Sequence, residues 1–233
     1  GDPPVQRLAM VNCMIAYGRN IDMLHYLARP TLCFSSLHQR RFMLAGINIE
    51  IIAHKHCGLG VKRDHYIIHH NHLMQSFQKI LSNDFTHEIQ NSWSQALLAL
   101  ARVLSDMEEE LYTAASERLG GWRGVKKFRV VGTRLVAKRC MELTFKPVNG
   151  GGLIDFEPGQ FLTLSLPKGQ VAPRHYSLTN APCKDYLQCC TKLIPGGEMS
   201  GALHAMKLGD VVGLRPPFGI FQLRGGQSSV LCS

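Results

Sequence analysis

The apolar pattern of this chain changes period once, at Gly120-Gly121-Trp122, and that change limits what the chain can fold into. Upstream, apolar residues recur at helical spacing. Leu8, Val11, Met14 and Ile15 mark a helix over residues 5–20, which Pro3 and Pro4 precede as helix starts allow. Residues 21–48 break the pattern at Pro30 and Arg40-Arg41, giving a loop with one short helix near 36–45. The spacing then predicts a helix over 47–59, stopped by Gly58 and Gly60. Another starts at Asp64 and runs to Leu81. Asn83-Asp84 cap the next, over 87–116, whose stripe is Trp93, Leu97, Leu98, Ala101, Leu104 and Met107. Downstream, residues alternate as in strands: 128–131, 141–145, 161–166 and 174–179, with one helix at 201–206. An all-α part therefore precedes an antiparallel β part, with the boundary near 118.

The β part carries the clearest chemistry. In Arg174-His175-Tyr176-Ser177, a strand places Arg174 and Tyr176 on one face and Ser177 on the other. A cation, a flat ring and a hydroxyl suit a ligand with an aromatic ring system and phosphates. Some twenty residues on, Gly196-Gly197-Glu198-Met199-Ser200 opens a helix, where unpaired N–H groups and the helix dipole favour an anion. Glu157-Pro158-Gly159-Gln160-Phe161 and Pro216-Pro217-Phe218-Gly219-Ile220-Phe221 flank these two motifs.

Together these stretches resemble the flavin domain of the ferredoxin–NADP reductase superfamily, a six-stranded antiparallel β-barrel. The resemblance implies FAD held by Phe161, Arg174, His175, Tyr176, Ser177, Gly196, Gly197, Met199 and Ser200. Phe161 stands where the family usually has Tyr, keeping the ring and losing the hydroxyl.

The histidines need separate treatment. His65, His69 and His72 share one helix face, where a zinc site can be drawn. With no Cys or carboxylate in register, a polar surface face is the preferred reading. His56 ends an apolar helix and by itself reads as a core or capping residue. An all-α half joined through Gly-Gly-Trp to a flavin barrel, however, resembles a flavohaemoglobin. That resemblance implies His56, within Lys55-His56, as the proximal iron ligand of haem b, with His54 as the wrong neighbour. It implies Tyr66 and Glu108 or Glu109 as catalytic hydrogen-bonding partners on the proximal side, Glu108 being the choice. Gln6 is the implied distal residue. A carboxylate on the imidazole N–H gives it imidazolate character, which favours oxygen activation.

The fold expected is thus multi-domain α + β. Residues 1–117 form a partial globin-like haem domain with an insertion near 22–46. Residues 118–225 form the FAD-binding β-barrel, and 226–233 start a truncated NAD(P)-binding domain. The resemblance implies a monomeric, cytoplasmic nitric oxide dioxygenase. It would oxidise nitric oxide to nitrate with oxygen and electrons passed from NAD(P)H through FAD to haem. Two alternatives stay open: a flavin-dependent NAD(P)H reductase without haem, and a non-catalytic haem-binding remnant. The first globin helices and the nicotinamide domain are expected to be missing, so the chain alone is expected to bind FAD at most and not to turn over.

Composition narrows the field further. The net charge of +9 comes from scattered Lys and Arg, which argues against nucleic acid as a partner. No stretch approaches twenty apolar residues, so no transmembrane helix is expected. The 8 cysteines, Cys13, Cys57, Cys140 and Cys232 among them in apolar runs, read as buried reduced thiols.

Overall fold

The computed structural model describes residues 43–44, 47–167 and 171–221. Gln6, the 5–20 helix, most of the 22–46 insertion, Cys13, Cys232 and 226–233 lie outside the described residues. Two short strands, β1 (Met43–Leu44) and β2 (Ile47–Asn48), lead into α1 (Ile49–Leu59). Then come α2 (Arg63–Leu81), a 3-10 turn (Ser82–Asp84) and the long α3 (His87–Glu117). The β part holds β3 (Lys126–Ala137), β4 (Cys140–Pro147), β5 (Phe161–Ser165), β6 (Arg174–Ser177), β7 (Leu187–Lys192), α4 (Glu198–His204) and β8 (Val211–Phe218). A helical part followed by an antiparallel β part is the observed class.

The described residues divide into two compact units. One comprises residues up to Ile49 together with Val61–Met107. The other comprises Glu50–Gly60 and everything from Glu108 onward. Helical residues on either side of the second segment's start therefore pack with different neighbours, although α3 runs unbroken.

In the first unit, Phe77, Leu81 and Phe85 form a small core with Leu73, Met74, Ile89, Trp93 and Leu97 around it. Phe77 meets Phe85 and Trp93 edge-on at 5.8 and 5.4 Å. Leu98, expected on the stripe of α3, is 41% exposed. The start of α3 also differs from expectation. Asn83 and Asp84 form the 3-10 turn, and Thr86 Oγ1 accepts from the Ile89 N–H at 3.4 Å. A hydroxyl three residues before that N–H is the cap a helix start requires. His65, His69 and His72 are exposed along α2. Among the described residues, no three His, Cys, Asp or Glu side chains are placed to hold a metal. No helix among the described residues is long and apolar enough to cross a membrane.

The second unit is built on the six strands, hydrogen-bonded in the order β6-β5-β8-β3-β4-β7, with each neighbouring pair antiparallel. Met141, Leu143 and Phe145 of β4 face Thr191, Cys189 and Leu187 of β7 across the inner side. Phe128, Val130, Leu162, Leu164, Val212 and Leu214 complete a core into which Leu203 of α4 inserts. The alternating pattern fixes this register, because a slip of one residue would expose the whole set. The barrel expected from sequence is rolled but its ladder does not close. Edge strands β6 and β7 meet only at the isolated bridge Leu178↔Cys189, just past Ser177. Pro216 and Pro217 sit in β8 beyond its last pairing with β3, at Leu214, where a missing N–H costs no bond to β3.

The thiols are not uniformly buried. Cys57 and Cys189 are buried, Cys140 is half-buried, and Cys183 and Cys190 are exposed. Burial pushes the Cys189 thiol up to about 12.

Candidate functional site

α1 is the element that organises the site. Its end is set by Gly60, whose φ of +78° suits the left-handed stop and whose N–H returns to His56 O at 2.8 Å. Gly58 does not stop the helix, contrary to the sequence expectation, and lies within α1. Its role is proximity. A Cβ there would stand 2.7 Å from His175 Cε1, 2.8 Å from Phe161 Cε2 and 2.9 Å from Thr163 Oγ1. Only glycine lets α1 lie this close to β5 and β6. The sequence gives no local signal for it, because the crowding atoms lie more than a hundred positions away.

Two histidines of α1 are held in opposite ways. His56 Nδ1 lies 2.8 Å from Oε1 of Glu108, a side chain only 2% exposed on α3. A carboxylate accepts, so the imidazole proton sits on Nδ1 and the basic lone pair on Nε2. His54 is buried, and its Nδ1 accepts the Gly219 N–H at 2.9 Å. Its proton therefore sits on Nε2. Burial lowers the His54 pKa to about 4, so this ring is neutral at ordinary pH. His56 has the tautomer a metal ligand needs when bound through Nε2, and its Nδ1 partner is the kind of group that orients such ligands.

The same geometry separates two adjacent glutamates. Glu108 turns inward to His56. Glu109 pairs with Arg123 through two bonds of 2.7 and 2.6 Å at the surface. Neighbours on a helix point about 100° apart, so only one of them can reach the histidine. Tyr66 sits half-buried in the first turn of α2, within the other compact unit.

Phe218, at the end of β8, is the shared ring of this corner. His54 and Tyr112 both meet it edge-on at 6.2 Å. Cys57, Ala115, Leu111 and Phe161 pack around it. Burial raises the Cys57 thiol and the Tyr112 phenol well above their ordinary values, so both stay protonated. Phe161 pairs across strands with Phe218, and its ring lies 4.5 Å from that of His175. His175 Nδ1 is 2.8 Å from the Thr163 hydroxyl. Burial, then the charge of Lys55, lowers the His175 pKa. Sequence gives Thr163 no role of its own, and it reads Gly58 as a helix stop, His54 as the wrong neighbour of His56 and Phe218 only as part of a flanking motif. Only tertiary contact reveals what each of them meets.

Along β6, Arg174 is exposed and its Nη1 donates to the carbonyls of Pro173 and Ala172 at 3.1 and 3.5 Å. Tyr176 is half-buried against the core, and Ser177 is exposed beside it. At the start of α4, Gly196 has φ +72° and Gly197 is the N-cap. The Ser200 hydroxyl is spoken for locally. It donates to Gly197 O at 3.2 Å and accepts from the Ile194 N–H at 3.1 Å. The Met199 side chain is buried in the core. Both residues therefore present backbone rather than side chain at this turn. Gly197 is required there, since its Cβ would fall 2.7 Å from Ser200 Oγ.

Comparison with known proteins follows the same two halves. Residues 127–223 match the oxidoreductase FAD-binding domain family. The chain is 37% identical over 195 residues to the flavohemoprotein of Bordetella pertussis, covering 79% of this chain and 48% of that one. It is 32% identical over 227 residues to the flavohemoprotein of Pseudomonas aeruginosa, covering 96% of this chain and 52% of that one. A crystal structure of flavohemoglobin from Malassezia yamatoensis, with bound FAD and heme, superposes with a TM-score of 0.68 at 24% identity. The match covers 78% of this chain and 46% of that one. The architecture is thus a helical part joined to a reductase-type β part. The chain is flavohaemoglobin-like, and it spans about half the length of the curated relatives it matches.

Proposed function

We propose that the protein is a flavohaemoprotein nitric oxide dioxygenase, an oxidoreductase that converts nitric oxide to nitrate with oxygen and electrons from NAD(P)H. FAD would be held by the β part, taken as 118–225, and haem by the helical part, taken as 1–117, with His56 as the iron ligand. Bound FAD would turn a hydride into single electrons, and bound haem would supply the iron where oxygen and nitric oxide react.

The chain's own residues do the rest. Glu108 accepts a hydrogen bond from the Nδ1–H of His56, which fixes its tautomer and orients Nε2 as the ligating atom. The resemblance implies proximal and distal hydrogen-bonding roles for Tyr66 and for Gln6, the latter outside the described residues. Arg174 offers an exposed cation to a phosphate, Tyr176 a ring face and Ser177 a hydroxyl. Gly196, Gly197, Met199 and Ser200 offer a backbone turn without protruding side chains. Phe161 and His175 bring a neutral, tightly packed edge to the flavin side of α1. Monomeric state, a cytoplasmic setting and a part in nitric oxide detoxification belong to the same proposal.

The observation that carries this reading is the His56–Glu108 pair. A buried carboxylate on the Nδ1 of a helix-end histidine orients a metal ligand, and a flavin reductase without haem gives no reason for it. The test is absorbance after reconstitution with haem and FAD, alongside NADH- or NADPH-dependent nitric oxide consumption by the whole protein. A Soret band that His56→Ala removes and His54→Ala keeps is the expected result. Flavin peaks with no Soret band favour the flavin reductase, and haem without flavin favours the haem-binding remnant.

A further inference from the structure

The buried bond from the Gly219 N–H to His54 Nδ1 joins residues 165 positions apart. It ties α1 to the exit of β8, where φ of +122° at Gly219 aims the amide at the helix. Cys57, Phe218, Tyr112 and Phe161 pack in the same cluster, and the Gly219 carbonyl accepts from Gln160 Nε2 at 3.3 Å. Apolar rings resist separation but permit sliding and rotation, whereas an N–H···N bond loses strength steeply with angle. On the side of α1 that meets the end of β8, this directional bond therefore helps set the rotation of the helix about its axis, together with the His56–Glu108 bond on another side. His56, two residues on, lies about 200° around the helix from His54. Turning one turns the other.

We propose that His54 is a positioning residue. Its ring, accepting the Gly219 N–H at Nδ1, latches α1 to Phe218–Gly219, and so holds the Lys55–His56 end of the helix in register with the Phe161–His175 corner. The role rests on the flavin-and-haem reading above, because register matters only if electrons pass between groups held at these two places.

The test compares His54→Leu, which fills the space without an acceptor, with His54→Asn, whose Oδ1 takes the place of Nδ1. Hydrogen exchange at the Gly219 amide is followed in the full chain. The same proteins, loaded with FAD and haem, are followed for electron transfer from photoreduced flavin to haem. Expected for His54→Leu is Gly219 exchange about fivefold to tenfold faster, the shift of one lost buried hydrogen bond. Flavin-to-haem transfer should slow, with FAD and haem content unchanged, and His54→Asn should restore both. Unchanged Gly219 protection in His54→Leu overturns the latch. Lost protection with unchanged transfer overturns its role in coupling. Failure of the wild-type chain to take up haem overturns the functional reading and the coupling role together, leaving Gly219 exchange to decide the bond itself.

Discussion

Replacing Glu108 tests the pair on which the site depends. In Glu108→Ala the carboxylate that receives His56 Nδ1 at 2.8 Å is gone. A hydrogen bond to a charged group contributes about 1.5–3 kcal/mol. The exposure of the two partners decides how much is added to that. Glu108 is 2% exposed, so its removal leaves a gap that water fills poorly, while His56 is 29% exposed and its N–H can recover a water partner. The full penalty of an orphaned buried group therefore does not apply to the histidine. A loss of about 2–3 kcal/mol follows, from the bond and incomplete repacking. Glu108→Gln keeps an acceptor of nearly the same shape and should cost about 1 kcal/mol, the difference between charge-assisted and neutral bonds. Glu109→Ala, which breaks a pair whose members are 52% and 56% exposed, should cost under about 1 kcal/mol. Urea unfolding of the ligand-free chain, followed by tryptophan fluorescence, reads all three. If Glu108→Ala unfolds within about 0.5 kcal/mol of wild type, or no more easily than Glu109→Ala, the pair is not the buried contact argued for here.

Further outcomes follow from the same geometry. Gly58→Ala should destabilise by about 1–3 kcal/mol through overpacking against His175, Phe161 and Thr163, where an exposed helical glycine would gain from the same change; a raised urea midpoint would refute the close approach. Arg174→Ala should weaken FAD binding about tenfold to a hundredfold by fluorescence titration, and equal affinity would remove Arg174 from the site. His54 has a folded pKa of about 4 against 6.5 for the free side chain, so its contribution is intact above pH 6.5 and is lost as the pH falls to 4. Wild type should lose about 3 kcal/mol more over that window than His54→Leu, and parallel acid profiles would show that the ring is not buried neutral.

What the sequence makes legible is what depends on neighbours along the chain. Alternation marks β4 and β5, the glycine at 60 marks a helix stop, and the change of period at Gly120-Gly121 marks the end of α3. Gly121 is obligatory there, since a Cβ would fall 2.1 Å from Ala115 O. The strand over Arg174–Ser177 is legible in the sequence, whereas what its side chains hold is not. Gly58 was misread because a glycine near a helix end has a local explanation, and its actual one involves β5 and β6. Ser200 was legible as part of a glycine turn, but its hydroxyl closes that turn instead of facing outward. Glu108 and Glu109 could not be told apart by residue type, since only the placement of α3 against α1 gives one of them a histidine. Nor does periodicity tell that Glu50–Gly60 and the end of α3 pack with the sheet, because an amphipathic stripe shows that a face is covered and not by what.

The two histidines of α1 show why that placement matters. His54 and His56 have the same side chain, lie on the same short helix and are separated by one lysine. Two residues turn a helix through about 200°, so the rings must face different surroundings. One meets a backbone donor and becomes an acceptor at Nδ1; the other meets a carboxylate and becomes a donor at the same atom. The first is thereby neutral and structural, with its proton on the nitrogen a metal would need. The second keeps its lone pair on Nε2 and a carboxylate partner that fixes that tautomer. Exchanging their roles would require Gly219 and Glu108 to exchange places, which neither β8 nor α3 permits. The register Lys55-His56 is therefore set by the sheet and by α3 acting on α1 from different directions, and a change at either contact should be felt at the other histidine.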